Sequence, residues 1–186
     1  IVVSSAMSGV TNSLIKQANS ISINFNKSEY DVLVSSGEQI SCSLIAGALT
    51  QLGYKSKSFM GWQIPLITDS NHTDARILNI PTRQIKNFVN SGGIPIIAGF
   101  QGITINKRIS TLGRGASDYT AIMVAKFFKA KKCIIYTDVE GVYTTDPNKL
   151  KKAKKIKVIS YEEMLEMASL GAKVMQPVSI QDARLN

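Results

Sequence analysis

Short apolar runs along the chain alternate with longer stretches in which apolar residues recur at helical spacing. "IVV" at the start, "KSKSF" ending at Phe59, "IPIIAGF" from Ile94 and "CIIYTD" from Cys133 read as strands. Between them lie helix patterns. In "EQISCSLIAGALTQLG", Ile40, Leu44, Ala48 and Leu52 fall on one face, and Gly53 is placed to stop the helix. "TRQIKNFVNSGG" repeats the pattern more briefly. "SDYTAIMVAKFFKA" carries Ala121, Ile122, Ala125 and Phe128 on one stripe, with Ser117 and Asp118 at a capping position. "SYEEMLEMASLGA" opens with a capping box, Ser160 with Glu163, and closes at Gly171.

Strands alternating with helices predict a mainly parallel sheet covered on both faces. "ITINKRIST", with Asn106-Lys107 at its middle, predicts a hairpin. The polar stretch "SINFNKSE" from Ser22 breaks two helices but is too short to separate domains, and no internal repeat is visible. Open parallel sheets bind ligands beyond the carboxyl ends of their strands, so the chemistry is sought just after each apolar run.

After "IVV" comes "SSAMSGVTN", small polar residues feeding a helix from about Thr11. This is either a plain helix start or a place where free N–H groups hold an anion. After "YDVLVSS" comes "GEQIS", with Glu38 in the first turn of a helix. A carboxylate there complements the helix dipole; the functional alternative is a counter-charge for a substrate ammonium group. After "IPIIAGF" and the hairpin comes "STLGRGASDYTA". Gly113 and Gly115 permit close backbone approach, and Arg114 between them supplies a planar fork for a carboxylate or phosphate. A cap explains Ser117 or Asp118 but leaves Arg114 unexplained. After "CIIYTD" comes "VEGVYTTDP", where Thr137, Asp138 and Tyr143 offer a seat for an adenine or ribose. Lys173, just past a helix stop, is either solvated or within reach of a phosphate.

Composition narrows the field. The 186 residues carry a net charge of +9 and are 44% hydrophobic, enough for one sizeable α/β domain. Lysine outnumbers arginine 17 to 5 and gathers in runs such as "KLKKAKKIK" without interleaved aromatics, so the excess reads as a solvated face and not a nucleic-acid surface. No apolar run is long enough to cross a bilayer, the start does not read as a secretory signal, and the expected compartment is the cytoplasm. Cys42 and Cys133 sit in apolar contexts and are expected to be reduced core thiols. His72 is the only histidine and reads as a loop residue, which argues against a catalytic triad. No P-loop, Rossmann fingerprint or metal-ligand cluster is present.

Taken in order, "SSAMSGVTN", "SSGEQIS", "GWQIPLITDSNHTDARI", "IPIIAGFQG", "TLGRGASDYTA", "YTDVEGVYTTDP" and "ISYEEMLEMASLGAKVMQP" resemble the aspartate kinases of the amino acid kinase family over nearly the whole chain. The resemblance implies the α/β amino acid kinase (carbamate kinase-like) fold, a three-layer sandwich with an eight-stranded, mainly parallel central sheet. It implies transfer of the ATP γ-phosphoryl group to the side-chain carboxylate of L-aspartate, opening the route to lysine, diaminopimelate, threonine and methionine. ATP is the implied co-substrate, with Mg2+. A homo-oligomer or a complementing chain is the implied assembly, with no nucleic-acid or membrane partner.

By position, the resemblance assigns Glu38 to the substrate ammonium and Arg114 to the α-carboxylate, with Thr11 and Ser117 helping to hold aspartate. Asp118 would orient phosphate-binding lysines. Thr137, Asp138 and Tyr143 would line the nucleotide site, and Lys173 with the Val174 backbone would hold phosphate oxygens. The family's "KFGGTS" loop and its C-terminal ACT repeats are not in this sequence, so residues 1–186 read as a partial catalytic domain. Asn148 stands where Arg is usual, and Gln176 where His is common. Two alternatives stay open: a non-catalytic remnant that binds nucleotide or partner subunits, and a related kinase with another acceptor.

Overall fold

The opening apolar run forms β1 (Val2–Ser4), which pairs in parallel with β5 (Ile94–Ala98), and β5 pairs in parallel with β2 (Ser56–Phe59) on its other side. The structure, a computed structural model, describes residues 1–113, 115–170 and 175–185. Alternation along β5 shows how the sheet is covered. Ile96 and Ala98 are fully buried in a cluster with Cys42 and Ala46, whereas Ile97 joins the larger core with Phe59, Ile85, Tyr119 and Met123. A strand with both faces buried is the centre of a three-layer sandwich.

The helices supply those layers. α1 (Val10–Ile21) packs on α2 (Lys27–Gln51), and α2 lies along β2 and β5. α3 (Arg83–Asn90) contacts β5, and α4 (Ser117–Phe128) contacts β1. α5 (Tyr161–Ser169) packs on α6 (Pro177–Arg184), with Arg184 Nε 2.9 Å from Glu162 Oε1, and α6 packs on α4. The predicted hairpin is present: β6 (Gln101–Thr104) and β7 (Ile109–Thr111) pair antiparallel across a turn in which Lys107 takes a φ of 59°. β6 also pairs in parallel with β3 (Ile67–Thr68), which pairs antiparallel with β4 (Ile77–Asn79). The described residues therefore form a three-stranded parallel sheet and a four-stranded mixed one, not one eight-stranded sheet.

Three expectations change. The helix containing Glu38 begins eleven residues earlier, at Lys27, because Asn26 caps it by accepting from the Ser28 and Glu29 N–H groups at 3.0 and 3.2 Å. The Ile40–Leu44–Ala48–Leu52 face is exposed. α2 instead buries Gly37, Ser41, Cys42 and Ala46, small residues that let it lie close to the strands. "CIIYTD" forms no strand and lies largely exposed, so Cys133 is not a core thiol although Cys42 is. A strand needs a ladder partner for its backbone groups, and no described residue pairs with 133–138.

α2 is also long and apolar enough to span a bilayer by length and composition. Here one side of it packs on the sheet, with Cys42 fully buried and donating to the Ile96 carbonyl at 3.0 Å.

The Ser160–Glu163 capping box is formed in both directions, with the Ser160 hydroxyl accepting from the Glu163 N–H and the Glu163 carboxylate accepting from the Ser160 N–H. Ser160→Ala is expected to cost about 1 kcal/mol, read as a lowered melting temperature with the spectroscopic signature of the remaining helices intact. The expected stop at Gly171 lies outside the described residues.

Candidate functional site

Glu38 is the starting point because its position costs the fold something. It sits in the middle of α2, only 4% exposed, so the helix-dipole explanation for a first-turn carboxylate does not apply. One carboxylate oxygen, Oε1, accepts from the Ala6 N–H at 3.2 Å; the other, Oε2, is buried without a hydrogen-bond partner. The close approach depends on Gly37, where a Cβ would come 3.0 Å from that of Ala6. Burial pushes the pKa of Glu38 from the ordinary 4.5 to about 7, with backbone hydrogen bonds at Glu38 and Ala6 opposing the shift. A buried carboxylate oxygen with no donor is unfavourable unless a ligand supplies one.

The loop after β1 is held from the same helix. The Ser41 hydroxyl donates to the Ser5 carbonyl at 2.5 Å and lies 3.0 Å from the Ser4 hydroxyl. Beyond the loop, Gly9 takes the left-handed N-cap position of α1 at φ 80°, which brings Thr11 into the first turn of that helix. At the end of β5, Phe100 is held left-handed at φ 64°, with its N–H donated to the Thr120 hydroxyl of α4 at 3.0 Å. That bond ties the strand end to the helix that carries Ser117 and Asp118.

Ser117 and Asp118 open α4, but neither caps it. The N-cap is Ala116, and no side chain makes a capping bond. The first-turn position of Asp118 suits the helix dipole, while burial pushes its pKa up.

Thr11, Glu38, Ser117, Asp118, Thr137 and Asp138 line one cleft of about 1410 Å3. That exceeds the roughly 300–1,000 Å3 of a single small-molecule pocket, which leaves room for two reactants. Tyr143 lines an adjoining cleft of about 1130 Å3, and Thr137 and Asp138 belong to both. The Tyr143 hydroxyl donates to Glu140 at 2.6 Å, and this bond is the main cause of its raised pKa. Seven of the ten residues singled out from the sequence therefore lie in two connected clefts. The other three, Arg114, Lys173 and Val174, lie outside the described residues.

Sequence reasoning missed part of the lining. Tyr30, Thr73, Phe100 and Thr111 face the same cleft. Of these, only Phe100 had a usable signal, since it ends a strand of the parallel sheet. Thr73 and Thr111 reach the cleft through tertiary packing that no local pattern announces.

A family model described as the amino acid kinase family matches residues 1–185. An aspartokinase of Geobacillus stearothermophilus is 50% identical over 184 residues, covering 99% of this chain and 45% of that protein. The chain thus spans about half the length of the curated relatives it matches. Among solved structures, the aspartate kinase from Synechocystis superposes with a TM-score of 0.82 at 39% identity, covering 98% of this chain and 30% of that one. Aspartokinase III of E. coli in complex with aspartate and ADP gives a TM-score of 0.81 at 32% identity, covering 94% of this chain and 40% of that one.

Proposed function

Because the chain belongs to the amino acid kinase family, we propose that it is the acceptor- and nucleotide-binding part of an aspartate kinase, which transfers the γ-phosphoryl group of ATP to the side-chain carboxylate of L-aspartate. The observation that carries the reading is the unpartnered Oε2 of Glu38, a buried carboxyl oxygen on a cleft wide enough for two substrates. An amino acid ammonium group is the donor that oxygen lacks. The solved relative whose complex holds aspartate and ADP supports the same pairing of ligands.

The chemistry needs little from the protein beyond placement. The aspartate β-carboxylate is already ionised at neutral pH, so no general base is required. One of its oxygens forms the new bond to the γ-phosphorus as the bond to the β,γ-bridging oxygen breaks. The products are ADP and 4-phospho-L-aspartate, and the latter opens the route to lysine, diaminopimelate, threonine and methionine. Positioning and charge neutralisation supply the rate. Glu38 receives the ammonium group, Arg114 the α-carboxylate, and Thr11 and Ser117 the remaining polar edge of aspartate. Thr137, Asp138 and Tyr143 line the nucleotide side, and Lys173 with the Val174 backbone holds phosphate oxygens. Among the described residues no three His, Cys, Asp or Glu side chains converge on one point. On this reading magnesium enters with the nucleotide, bound to its phosphates as part of the substrate.

The test is a phosphoryl-transfer assay on the full-length gene product with magnesium-ATP and aspartate, run beside glutamate and N-acetylglutamate. Turnover on aspartate alone is the expected result; turnover on another acceptor, or nucleotide binding without transfer, overturns the reading. Arg114→Ala is expected to weaken aspartate binding about a hundredfold, as loss of a bidentate charged pair does, and ATP binding by no more than about twofold. Calorimetric titration of both ligands checks this, and equal losses would remove Arg114 from the acceptor side.

A further inference from the structure

One buried cluster at the cleft wall has no part in the scheme above. Asp31, on α2, is fully buried. Its carboxylate accepts from the Thr73 N–H through both oxygens, at 3.1 Å each, and from the Thr111 hydroxyl at 2.5 Å; His72 Nδ1 lies 2.6 Å from its Oδ2. A carboxylate with no access to water is tolerated only when donors surround it, and here they come from two segments distant in sequence.

What the carboxylate holds is unusual. Thr73 adopts a φ of 73°, a left-handed conformation that a β-branched residue takes only under constraint. Just beyond it, the Ala75 N–H donates to the Thr111 carbonyl at 2.9 Å, and the Leu112 N–H donates to the Phe100 carbonyl at 3.0 Å. Next along the chain, Gly113 sits at φ 84°, and a Cβ there would come 2.9 Å from Asp74 Oδ1. The 72–74 loop is thus pressed against the start of the glycine-rich turn that leads to Ser117. Thr73, Thr111 and Gly113 line the cleft together with Glu38. Asp31 and Glu38 are seven residues apart on one helix, two turns or about 10 Å along its axis. One rigid element therefore carries both the proposed ammonium partner and the carboxylate that fixes the opposite wall.

We infer that Asp31, with His72, is a positioning residue for the acceptor: it clamps Thr73 in its left-handed turn and so sets the spacing between Glu38 and the N-terminal end of α4. The inference rests on the aspartate kinase reading for the identity of the acceptor, but not for the clamp itself. Thr73 shares the cleft that holds Glu38, whose boundary with the Tyr143 cleft is formed by Thr137 and Asp138, so the larger effect is expected on the acceptor.

The test has two arms in the full-length gene product. In hydrogen exchange, Asp31→Asn is expected to speed exchange at Thr73 and across 115–118 by about tenfold or more, the scale on which a single buried charged hydrogen bond acts. Rates in α5 should not change. This arm needs no substrate, so it stands whether or not aspartate is the acceptor. In steady-state kinetics, Asp31→Asn and His72→Ala are expected to raise KM for aspartate about tenfold, with kcat and KM for ATP within about twofold. Adding Thr73→Gly to Asp31→Asn should restore much of the aspartate KM, because glycine takes a positive φ without a clamp. Unchanged exchange at Thr73 overturns the proposal. So do equal rises in both KM values, or a double variant no better than Asp31→Asn alone.

Discussion

Replacing Glu38 by glutamine is expected to raise KM for aspartate about a hundredfold, the cost of losing a buried partner to a charged ammonium group, with KM for ATP almost unchanged. The same substitution should remove a pH dependence from the wild-type protein. With its pKa raised to about 7 in the free protein, Glu38 is protonated over part of the working range, and only its ionised form attracts the substrate ammonium. Aspartate affinity should therefore fall about tenfold per pH unit below 7 and level off above it. The glutamine variant should show a flat profile. Stability moves the other way: the folded form holds the proton between pH 4.5 and about 7 while the unfolded chain releases it, so stability drops as pH rises through that window. The loss is on the order of 2–3 kcal/mol, and Glu38→Gln should abolish it. Denaturant titrations at pH 5 and pH 8 measure this part. A wild-type aspartate profile that stays flat across pH 6–8 would sink the assignment of Glu38.

Asp118→Ala is expected to lower kcat by two to three orders of magnitude, roughly the effect of removing one preorganised electrostatic contributor, while KM for either substrate changes about threefold or less. Burial raises its pKa. Such a carboxylate is stabilised as an anion by a neighbouring positive group, and the groups proposed to pair with it are phosphate-holding lysines, Lys173 among them. Asp118→Asn separates the two ways of losing it. If charge is what matters, asparagine should be about as inactive as alanine and should melt no lower than the wild type, since a half-buried anion has been removed. Rapid-quench measurement of a single turnover locates the defect in the transfer step. Preserved kcat in Asp118→Ala would leave the residue as a first-turn helix former with no part in transfer.

How far the sequence carried this depends on the residue. The strand-end rule located the loop after β1, the end of β5 and the start of α4, because parallel strands announce themselves as dense apolar runs and glycines mark where backbone meets ligand. The extent of α2 was harder. "YDVLVSS" reads only as a hydrophobic stretch ahead of the helix, and the signal that it is helical is Asn26 with Glu29, a short cap easily lost in a polar stretch. The buried side of α2 was misjudged for a physical reason. Closeness to the sheet demands Gly37, Ser41, Cys42 and Ala46, while the bulkier Ile40, Leu44 and Leu52 point away, so hydrophobicity alone selects the wrong face. "CIIYTD" has strand composition, but composition cannot supply a pairing partner. The His72–Asp31 pair joins residues 41 positions apart, and nothing in either neighbourhood hints at the other.

The two clefts meet at Thr137 and Asp138, and that common boundary has a thermodynamic corollary. On the proposed aspartate kinase reading, an acceptor and a nucleotide that both touch this boundary would be linked through it. Whatever factor ATP contributes to the retention of aspartate, aspartate must return to ATP in equal measure, and a change at Asp138 would be felt by both.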